Sequence, residues 1–426
     1  METLSTLPEW VSLEHQVANI LTKQEIHGWH FDERAAWELA SALRDELRET
    51  ENVLQRRHPY VAGATFTPKR DNKSSGYIKG STFQRLKELN CTSRDHISWI
   101  LQTYHGWNPK HLTPTGKPII DEVVLKEIIA SGGPKIASDF MRCLDITKKL
   151  GMISEGVNAW LKLSTNDRIH HHCSVATSTH RCAHRSPNLA QVPSDGRFRA
   201  LFIPTPGLCM VGADLSGIEL RMLSHYLSRY DEGRYANILL NGDIHQVNAD
   251  KVGVSRSAIK TISYAFLYGA GDEKIGHSYD KQLSSSAAKR KGKEIRKAYI
   301  EAIDGLGDLL QAIKKASERG FIKSIDGRKI KVDSPHKALN YLLQSGASVV
   351  AKRWLVINQD HIKELNLCCS QLGFIHDELQ FEVDPNHAKD LCSSLVLSAT
   401  EAGEFYKLKC RIDAEATQGK NWSETH

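Results

Sequence analysis

The sequence predicts an α+β fold, with strands that lead to acids and helices elsewhere along the chain. Two apolar runs have the composition of buried strands, and each leads to a carboxylate, Asp214 in the first and Asp377 in the second. Elsewhere apolar residues recur at helical spacing, as Leu39, Leu43 and Leu47 do at four-residue steps. The sequence thus predicts few strands, many helices, and acids at the ends of strands.

The first strand runs into a turn and then a helix over residues 211–226, VGADLSGIELRMLSHY. The apolar run ends at Asp214, and Ser216 with Gly217 makes the turn. In the helix that follows, apolar residues are three and four apart. An acid in this position commonly caps the helix. A second acid in a similar setting, far along the chain, favours a shared site instead.

The second strand signal is a hairpin over residues 373–383, GFIHDELQFEV, with Asp377 at its tip. Apolar residues alternate with Gln380 and Glu382 after the tip, which predicts a half-buried strand. If Asp377 met Asp214 at one end of a sheet, the two carboxylates could hold two divalent ions about 3.5–4 Å apart, an arrangement that supports phosphoryl transfer. Carboxylates suit Mg²⁺, so two Mg²⁺ ions are the expected cofactor.

A further helix is predicted over residues 256–271, RSAIKTISYAFLYGAG. Arg256, Lys260 and Tyr264 are four residues apart and therefore share one helix face. Two cations followed by an aromatic ring can hold a triphosphate and pack against its base. The alternative interpretation is a solvated face with an incidental tyrosine.

Histidines and cysteines are concentrated in residues 168–193, where no C-x-x-C or paired His/Cys spacing occurs. This spacing gives little support to a zinc site and leaves the role of the cluster open. The cluster consists of His170, His171, His172, Cys173, His180, Cys182 and His184.

The composition is that of a globular protein with a mild basic bias, since the 426 residues carry a net charge of +6. Such a bias is compatible with a polyanionic partner. The nine cysteines lack the spacing of a disulfide framework, which indicates reduced thiols and a cytoplasmic location. We find no secretion signal and no apolar run of about 18 residues, so no membrane span is expected.

Three of these segments together resemble the motifs of family A (Pol I-like) DNA polymerases. DLSGIELR resembles the family's motif A, RSAIKTISYAFLYG its motif B and HDE its motif C, in the family's order. Residues 179–193, THRCAHRSPNLAQVP, and 334–345, SPHKALNYLLQS, add further matches. The similarity runs from about residue 13 to the C-terminus and is strongest to the phage branch that uses a host thioredoxin.

The resemblance implies a right-hand polymerase fold, with a palm that carries the antiparallel sheet and with helical fingers and thumb. The expected location is the cytoplasm of a bacterial or phage-infected host cell. The implied domains are an N-terminal helix packing on the palm (1–29), the thumb (30–150), the first part of the palm (151–225), the fingers (226–339) and the second part of the palm (340–426).

Two departures from the phage relatives are expected to matter. No D-x-E motif precedes the thumb region, so neither an exonuclease domain nor proofreading is expected. The phage relatives carry a thioredoxin-binding insertion where the segment between Pro59 and Cys91 is short in this chain. Thioredoxin is therefore not an expected partner. Separate replication accessory proteins are possible partners. Residues 60–92 are polar and basic, and are interpreted either as a solvated loop or as a loop along DNA phosphates.

The resemblance also assigns roles to individual residues. Metal ligation falls to Asp214, Asp377 and the carbonyl of Leu215, and Lys260 is the expected proton donor to pyrophosphate. The expected nucleotide-binding residues are His245, Arg256, Lys260, Tyr264 and Glu219, with Glu219 as the steric gate against ribonucleotides. The expected DNA-binding residues are Arg181, Tyr268, Asn340, Gln344, His376 and Glu378. His180 replaces the family's usual Gly before Arg181, so an altered turn is expected there.

The expected function is DNA-templated addition of dNTPs to a primer 3′ end by two-metal phosphoryl transfer, with primer–template DNA as partner. A single-subunit RNA polymerase is one alternative, because it shares the two-Asp plan and a Lys/Tyr helix. Glu219 and the HDE hairpin argue against it. A catalytically silent DNA-binding relative is the other alternative, and the presence of both acids argues against that.

Overall fold

The computed structural model describes residues 7–175 and 177–426, which form two compact units. The smaller unit is Arg34–Lys162, and the larger unit combines residues up to Glu33 with Leu163–His426. The α-helices of the described residues are α1 (Glu9–His27), α2 (Glu33–Arg57), α3 (Arg94–His105), α4 (Glu122–Ala130), α5 (Ile136–Leu150), α6 (Trp160–Leu163), α7 (Gly196–Arg199), α8 (Ile218–Asp231), α9 (Arg234–Asn241), α10 (Ile244–Val252), α11 (Arg256–Leu267), α12 (Asp272–Tyr279), α13 (Ser285–Ala302), α14 (Leu306–Ser317), α15 (Ala338–Glu364) and α16 (Ala388–Phe405).

The β-strands are short and pair antiparallel throughout the described residues, which confirms the predicted α+β class. They are β1 (Trp29–His30), β2 (Tyr60–Phe66), β3 (Phe83–Glu88), β4 (Arg168–Ile169), β5 (His172–Ser174), β6 (Ala183–Arg185), β7 (Cys209–Leu215), β8 (Phe321–Lys323), β9 (Lys329–Lys331), β10 (Cys369–Ile375), β11 (Glu378–Val383) and β12 (Ala414–Gly419).

The main sheet of the larger unit has the strand order β10-β11-β7-β12. Its register places Asp214 of β7 between Glu378 of β11 and Glu415 of β12. The helices α15 and α16 pack against each other and against this part of the unit, and the Trp354 indole N–H donates to the Leu395 carbonyl at 2.8 Å. The sheet end that carries Asp214 is therefore held by a rigid, buried core.

Strand β11 corrects the expectation of a half-buried strand, because it is buried along its whole length. Gln380 is 0% exposed and Glu382 is 1% exposed. The face that carries these polar residues is covered by other parts of the chain, and their hydrogen bonds are made there. Alternation in sequence correctly predicted a strand, but it could not show that the polar face is also covered.

Glu382 is held by partners from two other segments. The His27 imidazole Nε2 lies 2.6 Å from its carboxylate, and the Thr205 N–H and hydroxyl both donate to it at 2.8 Å. Burial alone would raise the pKa of Glu382, but these hydrogen bonds outweigh burial and hold the pKa at about 2. Because the folded pKa lies below the unfolded value, the ionised carboxylate stabilises the fold above the unfolded pKa, and this stabilisation is lost as the pH falls toward 2.

We expect Glu382→Gln to lower the free energy of unfolding by about 2–3 kcal/mol at pH 7. The difference from the wild type should shrink steadily as the pH falls from about 4.5 toward 2, because the unfolded carboxyl takes up a proton in this range while the folded carboxylate stays ionised. Urea unfolding at a series of pH values measures both effects. A difference that stays constant from pH 7 to pH 3 would show that the charge of Glu382 is not what stabilises this contact.

The N-terminal helix α1 is joined to α15 by an ion pair in the core. The Lys352 ammonium is 0% exposed and lies 2.8 Å from both Glu14 carboxylate oxygens. Arg328 also donates to Glu14. A buried cation needs such a partner, so removal of Glu14 would leave the Lys352 ammonium without this carboxylate, while Arg328 would keep its ion pair with Asp326 at 2.6 Å. Helix α1 is thus an integral part of the larger unit.

The smaller unit corrects the interpretation of residues 60–92 as a loop, since β2 and β3 form an antiparallel ribbon there. Phe66, Tyr77 and Phe83 pack together at its outer end, with ring centroids 4.9–6.0 Å apart. The Arg85 guanidinium lies over the Phe66 ring at 4.9 Å. The Gly, Ser and Lys content suggested a loop, whereas this aromatic packing supplies the apolar contacts that a ribbon needs.

Helices α4 and α5 both belong to the smaller unit. The Asp121 carboxylate accepts from the Val124 N–H at 2.9 Å, so Asp121 caps α4. No described helix is both long and apolar enough to span a membrane.

Candidate active site

The two predicted acids meet at one end of the main sheet. Strand β7 presents Asp214 as its penultimate residue, and Asp377 lies in the tight turn between β10 and β11. The Leu215 N–H donates to the Asp377 carbonyl at 3.0 Å, which fixes the hairpin tip against the end of β7. The sequence left this meeting open, and the sheet order brings it about by placing β11 next to β7.

The pKa values of both acids are raised. The surrounding protein removes water from around Asp214, and the charges of Asp377 and Glu378 add to this, raising the pKa of Asp214 to about 8. Burial and then the charge of Glu219 raise the pKa of Asp377 to about 6, although Arg181 opposes the shift. Among the described residues neither carboxylate forms an ion pair, and carboxylates crowded in this way provide the electrostatic condition for binding a hard cation.

Glu219, in the first turn of α8, is buried and accepts two hydrogen bonds. The Tyr268 hydroxyl donates to its Oε1 at 2.8 Å, and the Arg181 guanidinium donates to the same atom at 3.0 Å. Gly217 adopts a left-handed backbone conformation with φ 56°, which turns the chain from β7 into α8 and directs Glu219 toward the acids. Three predicted site residues thus form one hydrogen-bonded group.

The residue before Arg181, His180, has an unusual backbone conformation. His180 has φ 64°, a left-handed backbone conformation that glycine adopts freely and histidine rarely does. The His180 Nδ1 lies 2.6 Å from the Ser345 hydroxyl, and the Ser348 hydroxyl donates to the His180 carbonyl at 2.6 Å. Two contacts to α15 therefore hold a side chain in a conformation that favours glycine.

The phosphate-binding candidates lie together at the start of α11 and on α10. The Arg256 guanidinium is ion-paired with Asp243 at 2.7 Å, and this contact is the main reason that the pKa of Asp243 is lowered. His245 follows Asp243 closely and feels the positive charges of Lys260 and Arg256, although burial is the larger cause of its lowered pKa. Lys260 itself is exposed.

Tyr264 links this cationic group to the acids. Its ring centroid lies 6.3 Å from that of His245. Burial, and then the negative charges of Glu219 and Asp377, raise the pKa of its hydroxyl. The helix face that carries Arg256, Lys260 and Tyr264 therefore runs from the cations to the carboxylates, as its four-residue spacing predicted.

The carboxylate of Glu378, a predicted DNA contact, is hydrogen-bonded mainly by C-terminal residues. The Trp422 indole N–H donates to it at 2.5 Å, the Gln380 amide donates at 2.7 Å, and the His426 Nδ1 lies 2.9 Å away. Gly212 makes this possible, because any side chain at that position would collide with Gln380. Glu378 thus secures the hairpin that carries Asp377.

The remaining predicted DNA contacts surround the same end of the sheet. His376 has φ 63° at the hairpin tip, and among the described residues its buried Nδ1 has no hydrogen-bond partner. Asn340 and Gln344 lie in the first turns of α15, and the Asn340 amide donates to the Leu267 carbonyl at 3.1 Å. Tyr268 is 48% exposed.

Sequence reasoning missed two groups of functional neighbours. The first is Asp243, which pairs with Arg256. The sequence carried a signal for Asp243, because Asp is a common helix N-cap and Asp243 caps α10 by accepting from the Gln246 N–H at 3.0 Å. Trp422 and His426 hold Glu378, but no local pattern could connect the end of the chain to a hairpin more than 40 residues earlier.

Comparison with known proteins agrees with this geometry. The sequence model of DNA polymerase family A matches residues 72–424. The DNA-directed DNA polymerase of Enterobacteria phage T3 is 32% identical over 98% of this chain and 70% of the phage protein. That of Escherichia phage T7 is 31% identical with the same coverage.

A solved structure supports the fold independently of close sequence identity. The POL domain of Pol1 from M. smegmatis, in complex with DNA primer-template and dNTP, aligns with a TM-score of 0.79 over 97% of this chain and 70% of that chain, at 20% identity. This likeness, together with the family match, confirms the predicted right-hand polymerase fold.

Proposed function

Because this chain belongs to DNA polymerase family A, we propose that it is a DNA-directed DNA polymerase whose active site is the end of the main sheet. The observation that carries the proposal is the meeting of Asp214 and Asp377 beside the cationic face of α11. Such a site can bring a primer terminus and a nucleoside triphosphate together. The reaction is the template-directed addition of dNTPs to a primer 3′ end.

The donor set fits Mg²⁺. Asp214 and Asp377 supply carboxylate oxygens from two adjoining structural elements, and Leu215 supplies a backbone carbonyl directly after Asp214. The raised pKa of Asp214, at about 8, is the expected result of crowding acids in a site built for cations. Two bound Mg²⁺ ions would lower the pKa of the primer hydroxyl and neutralise charge on the triphosphate and pyrophosphate.

The chain's own side chains would position the triphosphate. Arg256 is already aligned by Asp243, and Lys260 is exposed and available for phosphate oxygens. Lys260 would also donate a proton to the leaving pyrophosphate, while His245 would contribute a hydrogen bond. Tyr264 would pack against the incoming sugar and base, one helical turn beyond Lys260.

Several groups of the larger unit would hold the primer–template. In the larger unit, Arg181, Asn340 and Gln344 would contact the minor-groove edge, where acceptors are nearly the same for every correct pair. His376 would contact the primer end, and Tyr268 would occupy the template-base position until the fingers close. Glu378 would support the primer end indirectly, through the hairpin.

We propose that the smaller unit serves as the thumb. The cations of the β2–β3 ribbon and its connecting segment would contact DNA phosphates, since phosphate contacts supply most of the affinity for DNA. The segment between Pro59 and Cys91 forms this ribbon, so we expect extension that does not depend on added thioredoxin. The ribbon cations are Lys69, Arg70, Lys73, Lys79, Arg85 and Lys87.

A primer-extension assay tests the proposed function. The purified chain is incubated with a 5′-labelled primer on a DNA template, Mg²⁺ and either dNTPs or rNTPs. We expect template-directed extension with dNTPs and little with rNTPs. Equal use of both would favour the RNA polymerase alternative, and binding of the primer–template without any extension would favour a silent DNA-binding relative.

A separate prediction concerns Glu219, the proposed steric gate. Its carboxylate is held in place by Tyr268 and Arg181, so a nucleotide's 2′-hydroxyl would meet a fixed side chain. We expect Glu219→Ala to raise the ratio of rNTP to dNTP incorporation about tenfold or more, which corresponds to about 1.4 kcal/mol. Glu219→Gln keeps the size of the side chain and should retain the exclusion. An unchanged ratio in the Ala variant would rule out a steric gate at this position.

A further inference from the structure

A compact group of metal-binding side chains lies in the β5–β6 hairpin, outside the proposed active site. Cys173 of β5 is directly opposite His184 of β6. His171 is two residues before Cys173, which places it on the same face of the hairpin. The three residues are 1%, 9% and 9% exposed for His171, Cys173 and His184, respectively.

The ligand atoms of these residues are almost close enough to share one ion. One ligand atom from each lies within 4.8 Å of the others, and the Cys173 Sγ is 3.2 Å from the His184 Nδ1. Around a tetrahedral zinc ion, neighbouring nitrogen and sulfur ligands are about 3.3–3.7 Å apart. An inward shift of about 1 Å by one side chain would therefore bring these three ligands to tetrahedral spacing, with a water molecule as the fourth ligand.

The described residues satisfy the hydrogen-bonding groups of this cluster only in part. The His184 Nε2 is buried and has no hydrogen-bond partner among the described residues, while its Nδ1 faces only a thiol. The Gln24 amide nitrogen lies 3.2 Å from the His171 Nε2 and 3.7 Å from the Cys173 Sγ. A buried polar atom without a partner costs about 1–3 kcal/mol. The His184 imidazole therefore has a nitrogen that a further ligand could stabilise.

The protonation states suit a metal ligand set. Burial, followed by neighbouring histidines, lowers the pKa of His171 to about 3 and that of His184 to about 4, so both imidazoles are neutral and keep a free lone pair. Burial raises the pKa of Cys173 to about 12, so the free protein carries a thiol. Metal binding would release that thiol proton to solvent and leave a thiolate ligand.

We propose that His171, Cys173 and His184 bind one structural Zn²⁺ ion. Imidazole and thiolate donors suit zinc, whereas the carboxylates at the sheet end suit Mg²⁺, so the two sites would select different metals. The absence of paired spacing had argued against zinc, but a cross-strand pair brings Cys173 and His184 together without it.

The position of the ion gives it a structural role. The loop between β5 and β6 carries Arg181, and the His184 ring lies 5.9 Å from the ring of His376 beside Asp377. An ion bound to both strands would hold this hairpin in register and support the Arg181 contact to Glu219. The proposal rests on the His/Cys geometry alone and goes beyond the polymerase function.

Metal analysis of tag-free protein, grown with zinc and dialysed against metal-free buffer, tests the proposal. We expect about one zinc ion per chain, and, after exchange for Co²⁺, a near-ultraviolet thiolate-to-cobalt absorption band. Cys173→Ser should lose both the zinc and the band. Cys392→Ser, which changes a cysteine on α16, should keep both.

Wild-type protein without zinc and without the cobalt band would overturn the proposal, and this result needs no variant to fold. Copper in place of zinc, or a cobalt band that persists in Cys173→Ser, would also overturn it. If Cys173→Ser is unfolded by circular dichroism, His171→Gln takes its place and should lower the zinc content. None of these readouts uses primer extension, so they fail or succeed independently of the polymerase proposal.

Discussion

Replacement of Asp214 or Asp377 by Asn should reduce primer extension about a thousandfold or more. Loss of one carboxylate weakens the binding of divalent ions that contribute several kcal/mol of charge stabilisation in the transition state, and every 1.4 kcal/mol is a factor of ten in rate. Affinity for primer–template DNA should change by no more than about threefold, because phosphate contacts distributed over other residues provide it. Single-turnover extension and fluorescence anisotropy measure the two quantities.

Glu415→Gln is the matched control for these variants. Glu415 lies opposite Asp214 on β12, is exposed, and contributes negative charge to the same end of the sheet. Its removal takes away one charge but no proposed ligand, so extension should remain close to the wild-type rate. Near-wild-type extension by Asp214→Asn or Asp377→Asn would show that the carboxylates are not the metal ligands.

Without divalent ions, Asp214→Asn and Asp377→Asn should be at least as stable as the wild type. The pKa values of Asp214 and Asp377 are raised in the folded protein, to about 8 and about 6, so the folded state holds more protons than the unfolded state between about pH 4 and pH 8. The free energy of unfolding therefore falls as the pH rises through this window. Asn at position 214 removes that penalty, and thermal unfolding in EDTA at pH 8 should show an equal or higher Tm.

Tyr264→Phe should increase discrimination against dideoxynucleotides about tenfold to a hundredfold. A normal dNTP can use its own 3′-hydroxyl to satisfy its phosphates, whereas a ddNTP leaves a polar group unpaired in a closing site, at a cost of about 1–3 kcal/mol. The Tyr264 hydroxyl lies in the field of Glu219 and Asp377, one turn beyond Lys260, and is placed to fill that gap.

Competition of a ddNTP against the matching dNTP on one primer measures this discrimination for both proteins. Incorporation of the normal dNTP should be little changed, because Phe keeps the ring that packs against the sugar. Tyr299→Phe is a suitable control, since it removes a tyrosine hydroxyl that is fully buried on α13. Equal discrimination by wild type and Tyr264→Phe would mean that the Tyr264 hydroxyl only meets water.

The sequence predicted most of the site because its signals are local. The turn after Asp214, the hairpin around Asp377 and the four-residue steps from Arg256 to Tyr264 each follow from short-range backbone geometry. The pairing of β7 with β11 could not be predicted from spacing alone, because it joins residues more than 160 positions apart. The similar settings of the two acids raised the possibility of a shared site, and the family resemblance made their meeting an expectation.

Other features depended on packing that a single sequence does not reveal. The polar face of β11 is buried because His27, Thr205 and Thr425 bond to Glu382 and Gln380. His180 keeps a glycine-like conformation because α15 supplies two hydrogen bonds. In each case the deciding partner is distant in sequence, and local propensity yields to the tertiary contact.

The number of divalent ions bound in the assembled complex tests the central claim most directly. The complex contains the protein, a dideoxy-terminated primer on its template, and the next dNTP, and Mn²⁺ replaces Mg²⁺ so that bound ions can be counted by electron paramagnetic resonance. Wild-type protein should bind about two Mn²⁺ ions per complex, and Asp214→Asn and Asp377→Asn should each bind fewer at the same free concentration. Retention of both ions by either variant would contradict the assignment of Asp214 and Asp377 as the metal ligands of this polymerase.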